Sequence, residues 1–392
     1  MAYENLTDEQ REVRELIRTI ARERIAPRAA EIDHSSEFPW DVVELFREHE
    51  LFGLAHEEQY GGSGIGMLMM LVAIEEVSRV CATSGLILAV QELGSIPLRL
   101  AGDEEQKQRW IPRLVSGEWL GAYALTEPGS GSDSAAMLTT ARREGDEYVI
   151  DGAKRFITNA GVADVYTVFA KTDPTAGHRG ISAFVVEKDT PGFSVPRIEP
   201  KMGIKGSTTG ELLFEGCRVP AGNLLGEEGE GFKIAMRVLD RSRPGVAAQA
   251  LGIAQGATDY ALDYAKTRET MGKPIAQHQL IQGKLADMET ATEAGRLLLY
   301  KVGQMIDAGV DGAELTKASA QAKLFCSDTA MWVSTEAVQI LGGYGYIQEY
   351  PVERMMRDAK ITQIYEGSTG SAPVIAREML RENRASLLAG VA

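Results

Sequence analysis

The order of residue patterns along this 392-residue chain limits its fold more than any other feature. Residues 1–120 and 231–392 carry apolar residues at helical spacing, whereas residues 121–230 hold two runs rich in β-branched and aromatic residues, at 165–170 and 181–186. Because the strands are contiguous, the pattern argues against a doubly wound fold, in which strands and helices alternate throughout. The sequence therefore predicts an α+β protein with an N-terminal helical domain, a central β domain and a C-terminal helical domain over these three ranges.

Local signals mark helix ends within this order. The segments from Thr7 to Gln10 and from Asp103 to Gln106 both have the capping-box pattern that starts a helix. Pro244 lies inside a helical stretch. Since proline lacks an N–H donor and clashes with the preceding turn, we expect a kink or a helix boundary there.

Composition excludes several classes of protein. The 41 basic and 56 acidic residues give a net charge of −15, which argues against nucleic acid as a partner, because phosphate binding needs a basic footprint. The three cysteines form no Cys-x-x-Cys pair, as expected in a reducing compartment. The longest apolar run, Met67 to Ile74, is too short to cross a bilayer. The N-terminal residues lack an apolar signal core, so we expect a cytoplasmic protein with no membrane partner.

Familiar catalytic and nucleotide-binding motifs are missing from the sequence. It contains neither G-x-G-x-x-G nor G-x-x-x-x-G-K-[ST], so a Rossmann or P-loop site is not expected. It also lacks H-E-x-x-H and G-x-S-x-G, and its five histidines show no metal-ligand spacing. The sequence therefore predicts neither a metal site nor an α/β-hydrolase triad.

Glu366 is the strongest candidate for acid–base chemistry. It follows Ile364 and Tyr365 and precedes Gly367. A carboxylate held against apolar neighbours resists ionisation, so its pKa can rise from roughly 4.3 toward neutrality, where a general base works best. The same position is also typical of a solvated loop glutamate, because glutamate is almost never buried unpaired.

Five segments, taken together and in this order, resemble the acyl-CoA dehydrogenase family, and most closely its bacterial short-chain members. They are 123–133 (YALTEPGSGSD), 156–160 (FITNA), 268–274 (RETMGKP), 339–346 (QILGGYGY) and 357–367 (RDAKITQIYEG). Each segment alone would equally suit a surface turn, a core strand or a helix end. The resemblance implies a central β-barrel or sandwich, a C-terminal four-helix bundle and FAD-dependent conversion of an acyl-CoA thioester to a trans-2-enoyl-CoA.

The resemblance also assigns roles to residues of the substrate site. Glu366 is implied to be the catalytic base that removes the α-proton, while FAD accepts the β-hydride at N5. Ser242 stands where some relatives carry an alternative catalytic glutamate, so Glu366 is the one matching base. The residues implied to contact substrate are Ser132, Asp240, Arg243, Tyr365, Glu366 and Gly367.

A larger set is implied to contact FAD. A loop of Gly, Ser and Thr lets backbone N–H groups approach the flavin edges, and the guanidinium of Arg268 suits the pyrophosphate of a neighbouring subunit. The resemblance therefore implies a homotetramer, and electron-transferring flavoprotein as electron acceptor. The set is Tyr123, Leu125, Thr126, Gly131, Ser132, Phe156, Ile157, Thr158, Arg268, Thr270, Met271, His278, Gln279, Gln339, Ile340, Gly342, Gly343, Ser368 and Gly370.

The sequence departs from the family pattern at two places. Phe156 stands where many relatives carry Trp, and Gly370 replaces a longer polar residue, which predicts the loss of one direct FAD contact. The second change leaves two other functions open, a dehydrogenase acting on a carrier-protein-bound acyl group and a non-catalytic acyl-thioester-binding scaffold. Independently of this change, the sequence also leaves open an acyl-CoA oxidase on the same fold. Acyl chain length cannot be predicted from these residues, because one methylene changes discrimination by only about 1–3 kcal/mol.

Overall fold

The computed structural model describes residues 6–367 and the backbone of 371–389, with side chains from 372 to 381 in that last segment. Within this part of the chain the order is helices, then strands, then helices. The helices before the sheet are α1 (Asp8–Ile20), α2 (Ala29–Ser35), α3 (Trp40–Glu48), α4 (Met67–Ser78), α5 (Ala82–Ala101) and α6 (Glu104–Val115).

Both predicted capping boxes are confirmed. The hydroxyl of Thr7 accepts the N–H of Gln10 at 3.2 Å, and the Gln10 side chain accepts the N–H of Thr7 at 3.0 Å. Asp103 and Gln106 make the same reciprocal pair at 2.8 and 2.9 Å, which starts α6. These bonds satisfy N–H groups that the first turn of a helix cannot bond internally.

The strands form one mixed sheet and one short hairpin. Their bounds are β1 (Gly121–Ala124), β2 (Thr140–Glu144), β3 (Glu147–Thr158), β4 (Val165–Lys171), β5 (Ile181–Glu187), β6 (Phe193–Ile198), β7 (Thr209–Pro220), β8 (Leu224–Leu225), β9 (Glu269–Thr270) and β10 (Lys273–Pro274). The large sheet has the order β6-β7-β3-β2-β4-β5-β8, and β1 lies parallel to β4 beside it. The pair β9–β10 forms the hairpin.

The two predicted strands are confirmed as β4 and β5, an antiparallel pair buried on both faces. Val165 and Phe169 pack with helical residues of α5 and α6. Tyr166 and Val168 point the other way, into a core made almost entirely by strands. Because alternate residues of a strand face opposite sides, burial on both faces explains why these runs are continuously apolar. The strand-lined core agrees with the expected barrel or sandwich.

The helices after the sheet are α7 (Gly231–Thr267), α8 (Gln279–Asp307), α9 (Ala313–Leu341), α10 (Pro351–Thr362) and α11 (Ser371–Ala389). Helices α7, α8 and α9 pack against one another, α10 packs on α7 and α9, and α11 packs on α9. This agrees with the expected helical bundle. Helix α7 continues through Pro244, so this residue does not mark a helix boundary. The helix is buried around Pro244 between α4, α5 and α9, and this packing outweighs one missing hydrogen bond.

A buried carboxylate forms a hydrogen bond between the sheet region and the helical bundle. Asp358 of α10 accepts the N–H of Ile204 at 2.5 Å, and the backbone of α10 lies against Gly203, where a Cβ would come within 2.6 Å. The pKa of Asp358 is raised to about 6, chiefly by burial and also by the nearby Asp33, against the opposing effects of the Ile204 N–H and of Arg354 and Arg357. The raised pKa means that the folded protein is less stable when Asp358 is ionised than when it is protonated.

Asp358→Asn is therefore expected to change the unfolding free energy more favourably at neutral pH than in acid. Stability from the protonated carboxyl is complete below its unfolded pKa of about 3.9 and is lost as pH rises through about 6. The difference in unfolding free energy, variant minus parent, should increase by roughly 2–3 kcal/mol between about pH 4 and pH 7. Denaturant titrations across this range measure it, and a flat or falling difference would contradict the assignment.

Within residues 6–367 and 371–389, no helix is long and apolar enough to cross a membrane. The same described residues contain no cluster of three or more His, Cys, Asp or Glu side chains that could hold a metal ion. Cys81, Cys217 and Cys326 are all buried free thiols.

Candidate active site

Glu366 lies in the turn that follows α10. Its φ is 52° and that of Gly367 is 107°, so both residues have left-handed backbone conformations. For a residue with a Cβ this conformation costs on the order of 1–3 kcal/mol and persists only when the surroundings enforce it. Such strain is often found at functional sites, which makes this turn a candidate.

Three side chains from two other helices hold this turn. Ser242 of α7 donates its hydroxyl to Glu366 Oε2 at 2.6 Å, and Arg243 Nε donates to the Glu366 carbonyl at 3.3 Å. Lys323 of α9 donates from Nζ to the carbonyl of Gly367. The turn is therefore fixed at its side chain and at two successive carbonyl groups.

Burial raises the pKa of the Glu366 carboxyl, and the hydrogen bond from Ser242 and the charges of Lys323 and Arg243 oppose the rise. The direction is the one that its apolar neighbours predicted. Tyr123 lies close enough to this carboxylate for its charge to raise the tyrosine pKa, in addition to burial. The environment thus favours a carboxylate that can accept a proton without being permanently neutralised by an ion pair.

Several residues predicted to contact substrate converge here. Tyr365 donates its hydroxyl to Gln249 Oε1 on α7. Arg243 NH1 lies 2.9 Å from Asp240 Oδ1, and Thr316 of α9 donates to Asp240 Oδ2 at 2.6 Å. The structure therefore brings Tyr123, Asp240, Arg243, Tyr365, Glu366 and Gly367 into one region between β1, α7, α9 and the turn after α10.

The segment 123–133 begins at the end of β1 and continues as a loop with an exposed tip and a buried anchor. Glu127 and Ser130 exchange backbone hydrogen bonds at 3.0 and 3.1 Å, which closes the turn. The Glu127 carboxylate accepts the N–H groups of Leu138 and Thr139, and it pairs with the buried Lys154 at 2.8 Å. Glu127 therefore has a structural role that the sequence did not indicate.

Gly131 and Ser132, at the tip of this loop, are exposed, and Thr126 is half-buried. A Cβ at Gly131 would meet no atom within 4 Å, so packing within the chain does not require glycine there. Leu125 and Ile157 have buried side chains, so any cofactor contact they make would come from their backbones.

Phe156 is an apolar residue that the fold leaves outside the core. Its φ is 59° and its side chain is 60% exposed, because a bulge between Lys154 and Ile157 interrupts the pairing of β3 with β7. Arg155 lies over its ring at 5.3 Å. Thr158, at the end of β3, is half-buried. A strained, exposed aromatic has no packing explanation within the chain and suits a planar ligand.

A second group of predicted FAD-contact residues surrounds a cavity of about 500 Å³ at the end of α7. Arg268 lies there, 5.4 Å from the ring centroid of Tyr344. A Cβ at Gly342 or Gly343 would meet nothing within 4 Å. The cavity is lined by Tyr264, Arg268, Thr270, Ile275, Ile340, Leu341, Gly342, Gly343, Tyr344 and Ile347, and Glu366 is not among them.

The remaining predicted FAD-contact residues lie near this cavity or outside the described chain. His278 Nε2 is 3.4 Å from the carbonyl of Thr270, and Gln279 begins α8. Met271 is 91% exposed with a φ of 51°, and Gln339 is exposed in the last turn of α9. Ser368 and Gly370 lie outside the described residues.

Comparison with known proteins identifies the family. The chain matches the N-terminal, middle and C-terminal domains of acyl-CoA dehydrogenases over residues 7–118, 122–217 and 229–380. It is 48% identical over 366 residues to the short-chain specific acyl-CoA dehydrogenase of Clostridium acetobutylicum, covering 93% of this chain and 96% of the relative.

Two solved structures agree. Butyryl-CoA dehydrogenase from Megasphaera elsdenii superposes with a TM-score of 0.93 at 45% identity, covering 96% of this chain and 99% of the other. A chain from a structure described as electron transferring flavoprotein of Acidaminococcus fermentans gives 0.94 at 46% identity, with the same coverage.

A helix–sheet–helix protein with a half-buried carboxylate and exposed glycine-rich loops is thus placed in a class of flavoenzymes. The chain belongs to the acyl-CoA dehydrogenase family. It is an FAD-dependent enzyme that dehydrogenates acyl-CoA thioesters. The open glycines at 131, 342 and 343 and the exposed Phe156 fit a large, planar, phosphate-bearing cofactor.

Proposed function

We propose that this enzyme oxidises a short-chain acyl-CoA to its trans-2-enoyl-CoA with Glu366 as the catalytic base. The observation that carries the proposal is the position of the Glu366 carboxylate, held by Ser242 in a strained turn where burial raises its pKa. The short-chain preference rests on the similarity to the Clostridium short-chain enzyme and to butyryl-CoA dehydrogenase.

In this mechanism Glu366 removes the α-proton, and negative charge develops on the thioester oxygen. The backbone N–H of Glu366 is the donor that we assign to that oxygen, because fixed donors stabilise charge where it develops. FAD, when bound, supplies the acceptor for the β-hydride. Arg243 and Asp240 would hold the CoA moiety, and Ser132, Tyr365 and Gly367 would line the remainder of the substrate site.

We propose two sets of residues for FAD. The loop residues 123–132 and the strand end 156–158 would lie against the flavin, with Thr126 near N5. The cavity at the end of α7 would bind the pyrophosphate of FAD from a neighbouring subunit through Arg268, with Thr270, Met271 and the segment 339–343. His278 and Gln279 would complete the cavity, and Ser368 and Gly370 remain predicted contacts.

We propose a homotetramer, in which Arg268 and its cavity would complete the FAD site of a neighbouring subunit. Exposed apolar side chains on α8 and α9, among them Leu280, Leu297, Phe325 and Trp332, favour such an interface. We further propose electron-transferring flavoprotein as electron acceptor, a cytoplasmic location and domain boundaries near residues 120 and 230. The proposed acceptor is supported by a similar chain in a structure whose description names an electron transferring flavoprotein.

The decisive experiment is an anaerobic titration of the FAD-loaded protein with butyryl-, hexanoyl- and octanoyl-CoA. Loss of the flavin absorbance band with enoyl-CoA formation is the expected result, with the largest effect for butyryl-CoA. A bound flavin that no member of the panel reduces would contradict the proposal and favour a carrier-protein substrate or a non-catalytic scaffold. Rapid reoxidation by air with stoichiometric oxygen consumption would instead indicate an oxidase.

Ser242→Ala is expected to move the acid limb of the flavin-reduction pH profile to higher pH. The Ser242 hydroxyl favours the ionised carboxylate of Glu366, so removing it raises the pKa of the base and lowers the active fraction in acid. The rate should therefore fall more at about pH 6 than at about pH 8. Stopped-flow reduction measures this, with Ser242→Thr retaining the hydroxyl as a control. An equal loss at both pH values would contradict the role.

A further inference from the structure

Lys323 is a buried cation that the mechanism above does not use. It lies in the middle of α9, is 1% exposed, and donates from Nζ to the carbonyl of Gly367. Lysine is rarely buried to this extent unless something holds it, because the ammonium group loses its hydration. The carbonyl that holds it, that of Gly367, belongs to the turn of the proposed base, 44 residues further along the chain.

Electrostatics couple this ammonium to the carboxylate of Glu366. Burial lowers the pKa of Lys323 to about 8, the charge of Glu366 raises it, and that of Arg243 lowers it. In return, Lys323 lowers the pKa of Glu366. The two groups form no ion pair within 4 Å among the described contacts, so the carboxylate remains available to accept a proton while still feeling the positive charge.

The backbone geometry explains what the contact does. Lys323 binds the carbonyl of Gly367 and Arg243 binds the carbonyl of Glu366, so two cations hold successive peptide groups. Both residues of that turn have positive φ values, a conformation that an unrestrained glutamate would leave. Fixing both carbonyls therefore fixes the direction in which the Glu366 side chain and N–H point.

We propose that Lys323 is a positioning residue, which holds the turn of Glu366 in its left-handed conformation and so directs the carboxylate for proton abstraction. This inference rests on the proposed role of Glu366. It adds a third helix to the site, since α9 then sets the geometry of a base that lies after α10 and is bonded to α7.

Charged, titratable and hydrogen-bonding groups from β1, α7, α9 and the turn itself surround this pair and influence its titration. Lys323 is faced by Glu366, Arg243 and Asp328. Glu366 is faced by Ser242, Lys323, Arg243, Tyr123 and Tyr365.

The test compares Lys323→Met, Lys323→Gln and Lys323→Arg in the FAD-loaded enzyme. Methionine removes both charge and donor, glutamine keeps a donor without charge, and arginine keeps both. We expect Lys323→Met to lower the limiting rate of flavin reduction by butyryl-CoA about 10- to 100-fold, as small misplacements of a reacting group do. The butyryl-CoA dissociation constant should change little, and the acid limb of the pH profile should move to higher pH.

A second readout does not depend on turnover. Hydrogen–deuterium exchange of the amides in residues 363–367 should be faster in Lys323→Met than in the parent, and Lys323→Arg should restore slow exchange and part of the rate. Lys233→Met, which changes a lysine that is 73% exposed in α7, is the matched control and should match the parent in every readout. If Lys323→Met does not fold, Lys323→Gln carries the same comparison.

Parallel measurement of Glu366→Gln separates the two proposals. If Glu366→Gln reduces flavin at the parent rate, the role of Glu366 fails, and the positioning role fails with it. If Glu366→Gln is inactive but Lys323→Met and Lys323→Gln keep the parent rate, pH profile and amide exchange, only the positioning role is overturned. Loss of FAD content and substrate affinity with an unshifted pH profile would also overturn it, because those changes indicate a purely structural lysine.

Discussion

Glu366→Gln is expected to lower the rate of flavin reduction by butyryl-CoA by several orders of magnitude, roughly the 10²- to 10⁴-fold contribution of a well-placed general base. Glutamine has nearly the same size as glutamate, and its amide oxygen can still accept the hydroxyl of Ser242. It cannot accept the α-proton, however, so substrate and FAD should still bind while the chemical step fails. Anaerobic stopped-flow reduction with measured FAD content is the appropriate assay.

Glu349→Gln provides a matched control for this prediction. Glu349 is an exposed glutamate in the loop before α10, so the same change in charge occurs without altering the site. The control should reduce flavin at the parent rate. Dehydrogenation by Glu366→Gln at a similar rate would remove the assignment of Glu366 as base, and a loss of bound FAD would indicate that the variant had damaged the fold instead.

The parts of the fold that depend on residues close together in the sequence could be predicted from it. The capping boxes at Thr7 and Asp103 were predictable because their reciprocal bonds span only three residues. The strands β4 and β5 were predictable because burial on both faces leaves a continuous apolar run. Pro244 was harder to interpret, because its effect depends on the helices packed around α7 rather than on its own neighbours.

The site was only partly predictable for the same reason. The apolar neighbours of Glu366 indicated a raised pKa. The side chains that oppose this rise, however, come from helices that are distant in sequence. Ser242 and Lys323 lie 124 and 43 residues before Glu366, and no local pattern connects them to it. A lysine within the small-residue stretch ASAQAKLFC (318–326) is the one signal that could have suggested a buried cation on α9. The strained φ of Phe156 likewise depends on the pairing of β3 with β7.

The largest loss of stability is expected from Arg296→Met, in a charge cluster far in sequence from the catalytic turn. Arg296 of α8 is 1% exposed, and its guanidinium lies 2.9 Å from Glu75 of α4 and 2.6 Å from Gln255 of α7. Tyr300 also donates to Glu75, at 3.0 Å. This cluster joins three helices inside the core. Removing the arginine leaves the buried Glu75 carboxylate without that charge, at a cost of about 3–5 kcal/mol.

A paired substitution distinguishes the charge from the packing. Arg296→Met combined with Glu75→Leu removes both charges, and we expect it to recover much of the lost stability, because an apolar pair of similar volume can replace a buried ion pair at little cost. Arg22→Met, at an arginine that is 70% exposed, should change stability by no more than about 0.5 kcal/mol. Denaturant unfolding of the FAD-loaded protein measures the stability of all three variants. Protein and FAD concentrations are held fixed, since cofactor and subunit binding shift apparent stability. A double variant less stable than Arg296→Met would show that volume and shape at this position, rather than the loss of the Arg296 charge beside Glu75, set the stability of the core.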